Sequence, residues 1–203
     1  MFYPTTEHHG LKHNPFKALI APRPIGWIST VSADGVHNLA PYSFFNAVAD
    51  SPPILIFCPN GQRPTGGRKD TLNNIRETGQ FVFNLCTYEL RDQMNLSAAH
   101  VDASVDEFAH AGLTALDSNL VAPKRVGESP VHMECELLQI VELPSNRPGH
   151  TNNTVFGRVV GIHIDDKFVE GGMVSTEAMQ PLARLGYMEY AYVNEVFSLN
   201  RPD

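Results

Sequence analysis

The sequence lacks both the long apolar runs of a membrane protein and the excess of basic residues that is typical of nucleic-acid-binding proteins. None of its apolar runs approaches the ~20 residues needed to span a bilayer. Its 15 Lys and Arg residues are outnumbered by 22 Asp and Glu residues, giving a formal net charge of -7 at pH 7. Proteins that bind nucleic acid or anionic membranes usually carry a basic surface. We therefore expect no nucleic-acid or membrane partner, and any phosphate site should be local.

The N-terminal segment, residues 1–17, lacks the apolar stretch of a secretory signal peptide. It instead mixes prolines with Glu7, His8, His9 and His13. We therefore expect the protein to reside in the cytoplasm.

Cysteine is scarce, with three residues far apart at Cys58, Cys86 and Cys135. Each lies among apolar residues and none has a paired spacing, which favours reduced core thiols over a disulfide or metal framework.

Signatures of metal sites and hydrolases are also lacking. His132-Met133-Glu134-Cys135 is similar to part of a zinc-deaminase signature, but no Pro-Cys-x-x-Cys follows it. His163 could face a pocket, although a hydrogen-bonded structural histidine is the favoured interpretation. Gly-x-Ser-x-Gly does not occur, so hydrolysis has no support. We predict no metal ion.

The sequence does contain many short apolar runs separated by Gly and Pro. An Asp34-Gly35 turn between runs 25–31 and 36–42 predicts a hairpin. Further strands are predicted over 54–58, which should be buried on both faces, over 81–87, and as a pair over 133–143 and 155–165. No βαβ alternation is present. This spacing favours a mainly β fold with a closed or partly closed antiparallel barrel.

A few short helices complete the prediction. Asp70 and Thr71 form a plausible N-cap pair for a helix that carries Leu72 and Ile75 inward and closes at Gly79. A second helix is predicted over 89–98, with Leu90, Met94 and Ser97 inward. Residues 101–129 are expected to form loops and short helical turns, and 187–197 a helix or a strand. We expect one domain over 1–203, with an N-terminal extension, 1–17, and a C-terminal tail, 198–203.

Three segments carry residues that a simple hairpin does not need. They are Ala21-Pro22-Arg23-Pro24-Ile25-Gly26-Trp27-Ile28-Ser29-Thr30, Asn38-Leu39-Ala40-Pro41-Tyr42-Ser43-Phe44-Phe45-Asn46, and Arg63-Pro64-Thr65-Gly66-Gly67-Arg68-Lys69-Asp70-Thr71. In the third, glycines let backbone amides approach an anion, Arg68 and Lys69 supply charge, and a helix N-terminus follows. A phosphate would fit there, although a solvated basic loop is the alternative.

Together and in this order, the three segments resemble the flavin-reductase-like family. The resemblance runs over residues 23–85 and resumes at Phe156-Gly157 and at Arg184-Leu185-Gly186-Tyr187. It implies an FMN-binding split β-barrel, a Greek-key antiparallel barrel that forms a homodimer.

Carried over residue by residue, the resemblance implies a flavin site made of three groups. Ser29 and Thr30 would lie at the FMN, and Ser43, Phe44, Phe45 and Asn46 would wrap its ring and ribityl chain. Arg68, Lys69, Asp70 and Thr71 would hold the phosphate end, with Asp70 more suited to capping the helix. Arg184 falls where the family approaches flavin or the neighbouring subunit. Core packing is the alternative for Phe44 and Phe45, and an exposed arginine for Arg184.

The activity implied is that of an NAD(P)H:flavin oxidoreductase. NADH or NADPH would give a hydride to FMN, which passes electrons to free flavin or to an acceptor protein, and no catalytic side chain is required. No Rossmann fingerprint is present, so the nicotinamide would stack at the open flavin face. The alternatives are an electron-transfer flavoprotein, similar to flavoredoxin, and a cofactor-binding module without turnover.

Overall fold

A computed structural model of the chain describes residues 1–63 and 66–202. The predicted phosphate loop includes Pro64 and Thr65, and the predicted tail includes Asp203; these three lie outside the described residues. The strands are β1 (Arg23–Pro24), β2 (Gly26–Val31), β3 (His37–Tyr42), β4 (Phe45–Asp50), β5 (Pro53–Phe57), β6 (Gln80–Leu85), β7 (Ala115–Leu116), β8 (Arg125–Val126), β9 (Val131–Leu143), β10 (Asn152–Ile164), β11 (Val169–Glu170), β12 (Met173–Val174), β13 (Leu182–Arg184) and β14 (Tyr190–Tyr192). The helices are α1 (Phe16–Leu19), α2 (Asp70–Thr78), α3 (Arg91–Leu96), α4 (Glu107–His110) and α5 (Thr176–Met179), with a 3₁₀ turn at Asp166–Phe168.

The main sheet has seven antiparallel strands in the order β3-β2-β6-β9-β10-β5-β4. The hairpin β2–β3 and the long pair β9–β10 confirm the corresponding predictions. Smaller sheets are formed by β1-β13-β14, by β7-β8 and by β11-β12. The mainly β, antiparallel fold class is therefore confirmed.

The two edges of the main sheet meet, because its edge strands β3 and β4 are joined by Ser43 and Phe44 alone. A link of two residues cannot cross the width of a flat seven-stranded sheet, in which neighbouring strands lie ~4.8 Å apart. The sheet must therefore curl until its edges come together. This curling produces the partly closed barrel expected from the sequence.

The interior of the barrel is filled by aromatic side chains and by α2. Phe57, Phe81, Leu72 and Ile75 are all fully buried there. Burial of each of the two aliphatic side chains contributes roughly 2 kcal/mol, which secures α2 against the sheet. The helix ends as predicted at Gly79, whose left-handed backbone lets its N–H donate to the carbonyl of Ile75 at 2.9 Å.

A second apolar cluster covers the outer face of β2. The fully buried indole of Trp27 packs there among Leu39, Met94 and Phe108, and its N–H donates to Ser97 Oγ at 2.9 Å. Strand β2 is thus buried on both faces. It links the barrel interior to the helices α3 and α4.

Some predictions differ from the structure. Strand β4 was not predicted, since its mostly exposed residues carry no apolar alternation. Strand β5 buries Leu55 and Phe57 but leaves Ile54 and Ile56 half-buried, so it is not buried on both faces. Within 187–197 only β14 forms, as a short strand that pairs with β13.

The cysteines agree with the prediction of free thiols. Cys86 and Cys135 are buried and Cys58 is half-buried, and all three are unbridged. Burial raises the pKa of the Cys86 thiol to about 12. Among residues 1–63 and 66–202, no helix is both long and apolar enough to cross a membrane.

Candidate functional site

A cavity of about 290 Å³ opens beside the first turn of α2. Its walls are formed by β3, by the loop before α2 and α2 itself, by the loop that follows α3, and by α4. The lining residues are Asn38, Ala40, Pro41, Tyr42, Gln62, Arg63, Lys69, Asp70, Thr71, 97–101 and Glu107. Three of the four residues predicted to hold the phosphate end, Lys69, Asp70 and Thr71, therefore lie together on the wall of one cavity, and Arg68 does not line it.

The N-terminus of α2 favours an anion. Lys69 occupies the N-cap position with extended backbone, and its side chain gives the helix no capping hydrogen bond. The first N–H groups of a helix lack intrahelical partners, and they carry the positive end of the helix dipole. The Lys69 ammonium adds a full charge, 5.4 Å from the centroid of the Tyr42 ring. Burial lowers the pKa of Lys69.

Asp70 does not cap α2, contrary to the sequence prediction. It is the first helical residue, and its carboxylate pairs with Arg63 at 3.1 Å. This ion pair fixes the loop against the helix. Gly66 and Gly67 both have left-handed backbone, with φ of 88° and 81°, so this part of the loop needs glycine. Arg68 follows them and is exposed.

A buried hydrogen-bond network runs from Asn38, Tyr42 and Thr71 on the cavity wall to Thr30 and Asn74 behind it. Tyr42 Oη donates to Thr71 Oγ1 at 2.8 Å, and Thr71 Oγ1 donates to Asn38 Oδ1 at 2.7 Å. Thr30 Oγ1 also donates to Asn38 Oδ1, at 3.2 Å, and accepts from Asn74 Nδ2 at 3.0 Å. The network ties two strands to α2. It thereby holds the cavity wall in one arrangement.

Glu107 completes this network and was missed by the sequence analysis. It begins α4, and its carboxylate accepts from Asn38 Nδ2 at 2.6 Å and from the backbone N–H of Leu39 at 3.3 Å. Burial raises the pKa of Glu107 to about 7, although both hydrogen bonds oppose that shift. The N-cap Asp106 was a signal for the helix, but no local pattern points from residue 107 to residue 38.

Ser29 and Thr30 are both fully buried but face opposite ways. Thr30 joins the network behind the cavity. The Ser29 hydroxyl donates instead to the carbonyl of Lys124 at 2.6 Å and accepts from Asn84 Nδ2 at 3.2 Å. Direct contact of these two side chains with FMN stays a prediction.

The aromatic pair that follows β3 divides between two environments. The Phe45 ring stacks on Phe83, with centroids 4.7 Å apart, while the Phe44 ring lies 5.8 Å from the Lys17 ammonium. Ser43 is half-buried and Asn46 is exposed on β4. These four residues follow the seam where the barrel edges meet, and their role as the flavin wrap stays a prediction.

Arg184 lies at a different cavity, of about 410 Å³, that shares no lining residue with the one at α2. Its guanidinium stacks 4.3 Å from the centroid of the Tyr190 ring and donates to the Tyr187 carbonyl. The Arg184 side chain is therefore held by contacts within the β13–β14 hairpin. Its contact with flavin stays a prediction.

His163 hydrogen-bonds to the fully buried carboxylate of Glu134. This is the structural histidine that the sequence analysis favoured. Within the described part of the chain, no group of three or more His, Cys, Asp and Glu side chains is arranged to hold a metal ion.

Comparison with known proteins identifies the class. Residues 19–193 match the family described as flavin reductase like domain. An uncharacterised protein of Aquifex aeolicus is 36% identical over 173 residues, which cover 85% of each chain. The chain therefore belongs to the flavin reductase-like family.

Solved structures agree with this assignment. Nitrilotriacetate monooxygenase component B from Bacillus cereus is 32% identical and superposes with a TM-score of 0.87 over 98% of both chains. A Shewanella frigidimarina protein described as having a split barrel domain gives a TM-score of 0.84 over 100% of both chains at 22% identity, a likeness of fold alone. The split-barrel prediction is thus confirmed, and these relationships support a flavin cofactor and an oxidoreductase activity.

Proposed function

We propose that this protein binds FMN with its phosphate at the N-terminus of α2, and that it acts as an NAD(P)H:flavin oxidoreductase. The observation that carries the proposal is the Lys69 side chain beside the uncapped first turn of α2, on the wall of the 290 Å³ cavity, in a flavin reductase-like chain.

The groups around this cavity suit a phosphate monoester. Backbone N–H groups and an ammonium are the donors that phosphate takes in proteins. The nearby carboxylate of Asp70 is paired with Arg63, which reduces its repulsion of an anion. Among the described residues that line the cavity, the other carboxylate is that of Glu107, whose raised pKa limits its ionisation near neutral pH.

Bound FMN supplies the electron chemistry, accepting a hydride and passing electrons onward. The chain needs only to hold the phosphate, orient the ring and leave one ring face open. We assign Lys69 and the first turn of α2 to the phosphate. Ser43, Phe44, Phe45 and Asn46 are assigned to the ring and ribityl side, and Arg184 to the approach of the flavin or of the second subunit.

The electron acceptor is proposed to be free flavin or a partner protein. The name of the Bacillus cereus relative, a monooxygenase component B, supports an acceptor of the second kind.

The activity can be tested by mixing the FMN-loaded protein anaerobically with NADH or NADPH in a stopped-flow spectrometer. A reductase loses flavin absorbance promptly with at least one of the two nucleotides. FMN that dithionite reduces but neither nucleotide does would instead identify an electron carrier. A purified protein without colour and without affinity for added FMN would refute the flavin site itself.

We also propose that 1–203 form one domain, a cytoplasmic homodimer. Exposed large apolar side chains toward both ends of the β9–β10 pair, Leu138 and Leu143 on β9 and Ile162 and Ile164 on β10, support a subunit contact along these strands. Sedimentation at micromolar concentration should give twice the 22.4 kDa chain mass. A species of single-chain mass would contradict the dimer.

A further inference from the structure

The carboxylate of Glu107 is joined to the proposed phosphate site through two hydrogen bonds. Asn38 Nδ2 donates to Glu107 Oε1 at 2.6 Å, and Thr71 Oγ1 donates to Asn38 Oδ1 at 2.7 Å. Glu107 also lines the cavity that Lys69 lines. A buried titratable group thus lies on the wall of the site and is connected to its helix.

The direction of these bonds follows from the charge of Glu107. An ionised carboxylate can only accept hydrogen bonds, so the amide nitrogen of Asn38 must face it. The amide oxygen then faces Thr71, which donates its one hydroxyl proton to that oxygen. The Thr71 hydroxyl has one proton, which it donates to Asn38, and it accepts from Tyr42 Oη at 2.8 Å, so it has no proton left for an anion.

Protonation of Glu107 permits the opposite direction. A carboxylic acid can donate one hydrogen bond, so the amide oxygen of Asn38 can turn toward Glu107 and its nitrogen toward Thr71. Thr71 then accepts from Asn38 and from Tyr42, and its own proton is free to point into the cavity. Thr30 Oγ1, which donates to the same amide oxygen at 3.2 Å, must turn its proton away from Asn38 as well. Protonation also removes one negative charge from the cavity wall.

We propose that Glu107 is a positioning residue that couples binding of the flavin phosphate to uptake of one proton from solvent, by setting the hydrogen-bond direction between Asn38 and Thr71. This inference rests on the proposed FMN site at α2. The form with protonated Glu107 binds the phosphate better, so the affinity for FMN falls as the pH rises.

The pKa of Glu107 lies in the range where such coupling matters. Burial raises it to about 7, the hydrogen bonds from Asn38 and Leu39 lower it, and the charge of Asp70 raises it further. In its ionised state Glu107 opposes an incoming phosphate dianion. Bound phosphate should therefore raise the pKa of Glu107 again, which draws a proton from solvent near and above pH 7.

Other charged and titratable groups face Glu107 or share its two cavities. They are Asp34, His37, Tyr42, Arg63, Lys69, Asp70, His100, Asp102 and its neighbour Asp106. Burial lowers the pKa of His37 and raises that of Tyr42, and hydrogen bonds from Ser104 lower that of Asp102. Lys69 is present in every variant of the experiment below, and His100 is replaced in a variant of its own, so the contribution of Glu107 can be separated from both.

The test measures FMN and riboflavin affinity by flavin fluorescence from pH 6 to 8.5 for wild type, Glu107→Gln, His100→Gln and the exposed control Glu77→Gln. Between pH 6 and 8, the wild-type Kd for FMN should rise about tenfold relative to that of Glu107→Gln, as one-proton linkage with a pKa near 7 requires. Titration of the FMN phosphate itself affects wild type and variants equally, so it does not contribute to the difference between their Kd values. His100→Gln and Glu77→Gln should keep the wild-type pH response, and riboflavin should show no difference between variants.

Calorimetry of FMN binding in two buffers of different ionisation enthalpy counts the protons directly. At pH 8 wild type should take up more protons than Glu107→Gln, by a difference approaching one. Wild type alone should take up close to one proton at pH 8, a result that needs no variant to fold. Asn38→Ser, which keeps Glu107 but shortens the link to Thr71, should reduce the uptake.

The possible failures are distinguishable. An unchanged pH response in Glu107→Gln, or its loss in His100→Gln, overturns the inference while the FMN site stands. Absence of FMN binding by wild type overturns both.

Discussion

The ring of Phe45 lies flat against that of Phe83, with centroids 4.7 Å apart and planes inclined by 12°, although β9, β10 and β5 separate their strands in the sheet. The contact therefore crosses the barrel rather than running along it. Gly26 makes room for it, because a Cβ at that position would lie 2.5 Å from the Phe45 ring.

Replacing Phe45 with Ala should destabilise the fold by about 2 to 3 kcal/mol, since the stack and a partly buried aromatic side chain are lost. Phe44→Ala is the matched control and should cost about 1 kcal/mol or less, because its ring contacts the Lys17 side chain near the surface. Urea denaturation of the protein without flavin gives both values. Equal losses for the two variants would contradict the assignment of Phe45 to the barrel interior.

Gly157 on β10 lies against Phe81, and a Cβ there would be 2.2 Å from Cζ of that ring. Gly157→Ala should therefore cost about 1 to 3 kcal/mol through overpacking. Gly161→Ala on the same strand is the control: its nearest atom is the flexible end of Leu120, at 3.2 Å, and its cost should be about 1 kcal/mol or less. Thermal unfolding would reveal the difference.

A double variant makes the cause explicit. Adding Phe81→Leu to Gly157→Ala removes the ring that the new methyl group meets, so the two changes together should cost less than the sum of each alone. Strict additivity would show that the backbone of Gly157, and not its lack of a side chain, is what the fold requires.

Elements with a local signal could be predicted from the sequence. The Asp34-Gly35 turn fixed the β2–β3 hairpin, and Gly79 marked the end of α2, because each depends on backbone preferences of neighbouring residues. Strand β4 had no such signal: its residues are mostly exposed, and its pairing with β5 is what makes it a strand. A hydrophobic pattern predicts a strand only where the strand buries one of its faces, and β4 leaves both faces mostly exposed.

The candidate site divides in the same way. Lys69 and Thr71 could be found because glycines, a basic pair and a helix start lie together in the sequence. Glu107 could not, since its partner Asn38 is 69 residues away and the two meet only where α4 covers the edge of β3. The placement of Thr30 behind the wall, instead of at its surface, likewise follows from the folded sheet.

Glu134 should be a major stabilising residue outside the flavin site. Its fully buried carboxylate accepts backbone N–H bonds from Asn119, Leu120 and Val121, at 2.8, 2.6 and 3.1 Å. Burial alone would raise the pKa of Glu134, but the hydrogen bonds to Asn119, His163 and Leu120 outweigh burial and lower it. The carboxylate thus anchors the loop before β8.

Glu134→Gln should cost about 2 to 3 kcal/mol at pH 7, because one amide oxygen cannot satisfy three N–H donors. Since the folded pKa lies below the ordinary value of 4.5, this stability is present above that value and is lost as the pH falls through the folded pKa. The difference between wild type and variant should therefore shrink as the pH falls below 4.5 and through the lowered folded pKa. Glu136→Gln, whose carboxylate forms a surface pair with Arg158, should cost about 0.5 kcal/mol or less. A cost for Glu134→Gln as small as this control's would contradict the anchoring role.

The phosphate assignment at α2 can be separated from binding of the flavin ring by comparing FMN with riboflavin, which lacks the phosphate. Lys69→Ala should weaken FMN binding by about 1.5 to 3 kcal/mol, roughly a 10- to 150-fold rise in Kd, because a charge-assisted contact is lost. Thr71→Ala should act in the same direction by a smaller factor. Riboflavin affinity should change by less than about twofold in both variants, since neither side chain is assigned to the ring.

Lys167→Ala is the control for lysine removal, because its ammonium pairs with Asp165 at 2.9 Å on the surface and borders neither α2 nor its cavity. It should leave both affinities unchanged. Arg184→Ala tests the second cavity: since that cavity shares no wall with the first, any loss should be similar for FMN and riboflavin. If Lys69→Ala weakened the binding of FMN and of riboflavin equally, the phosphate would not lie at α2. Loss of a contact with the phosphate cannot weaken the binding of riboflavin, which has no phosphate.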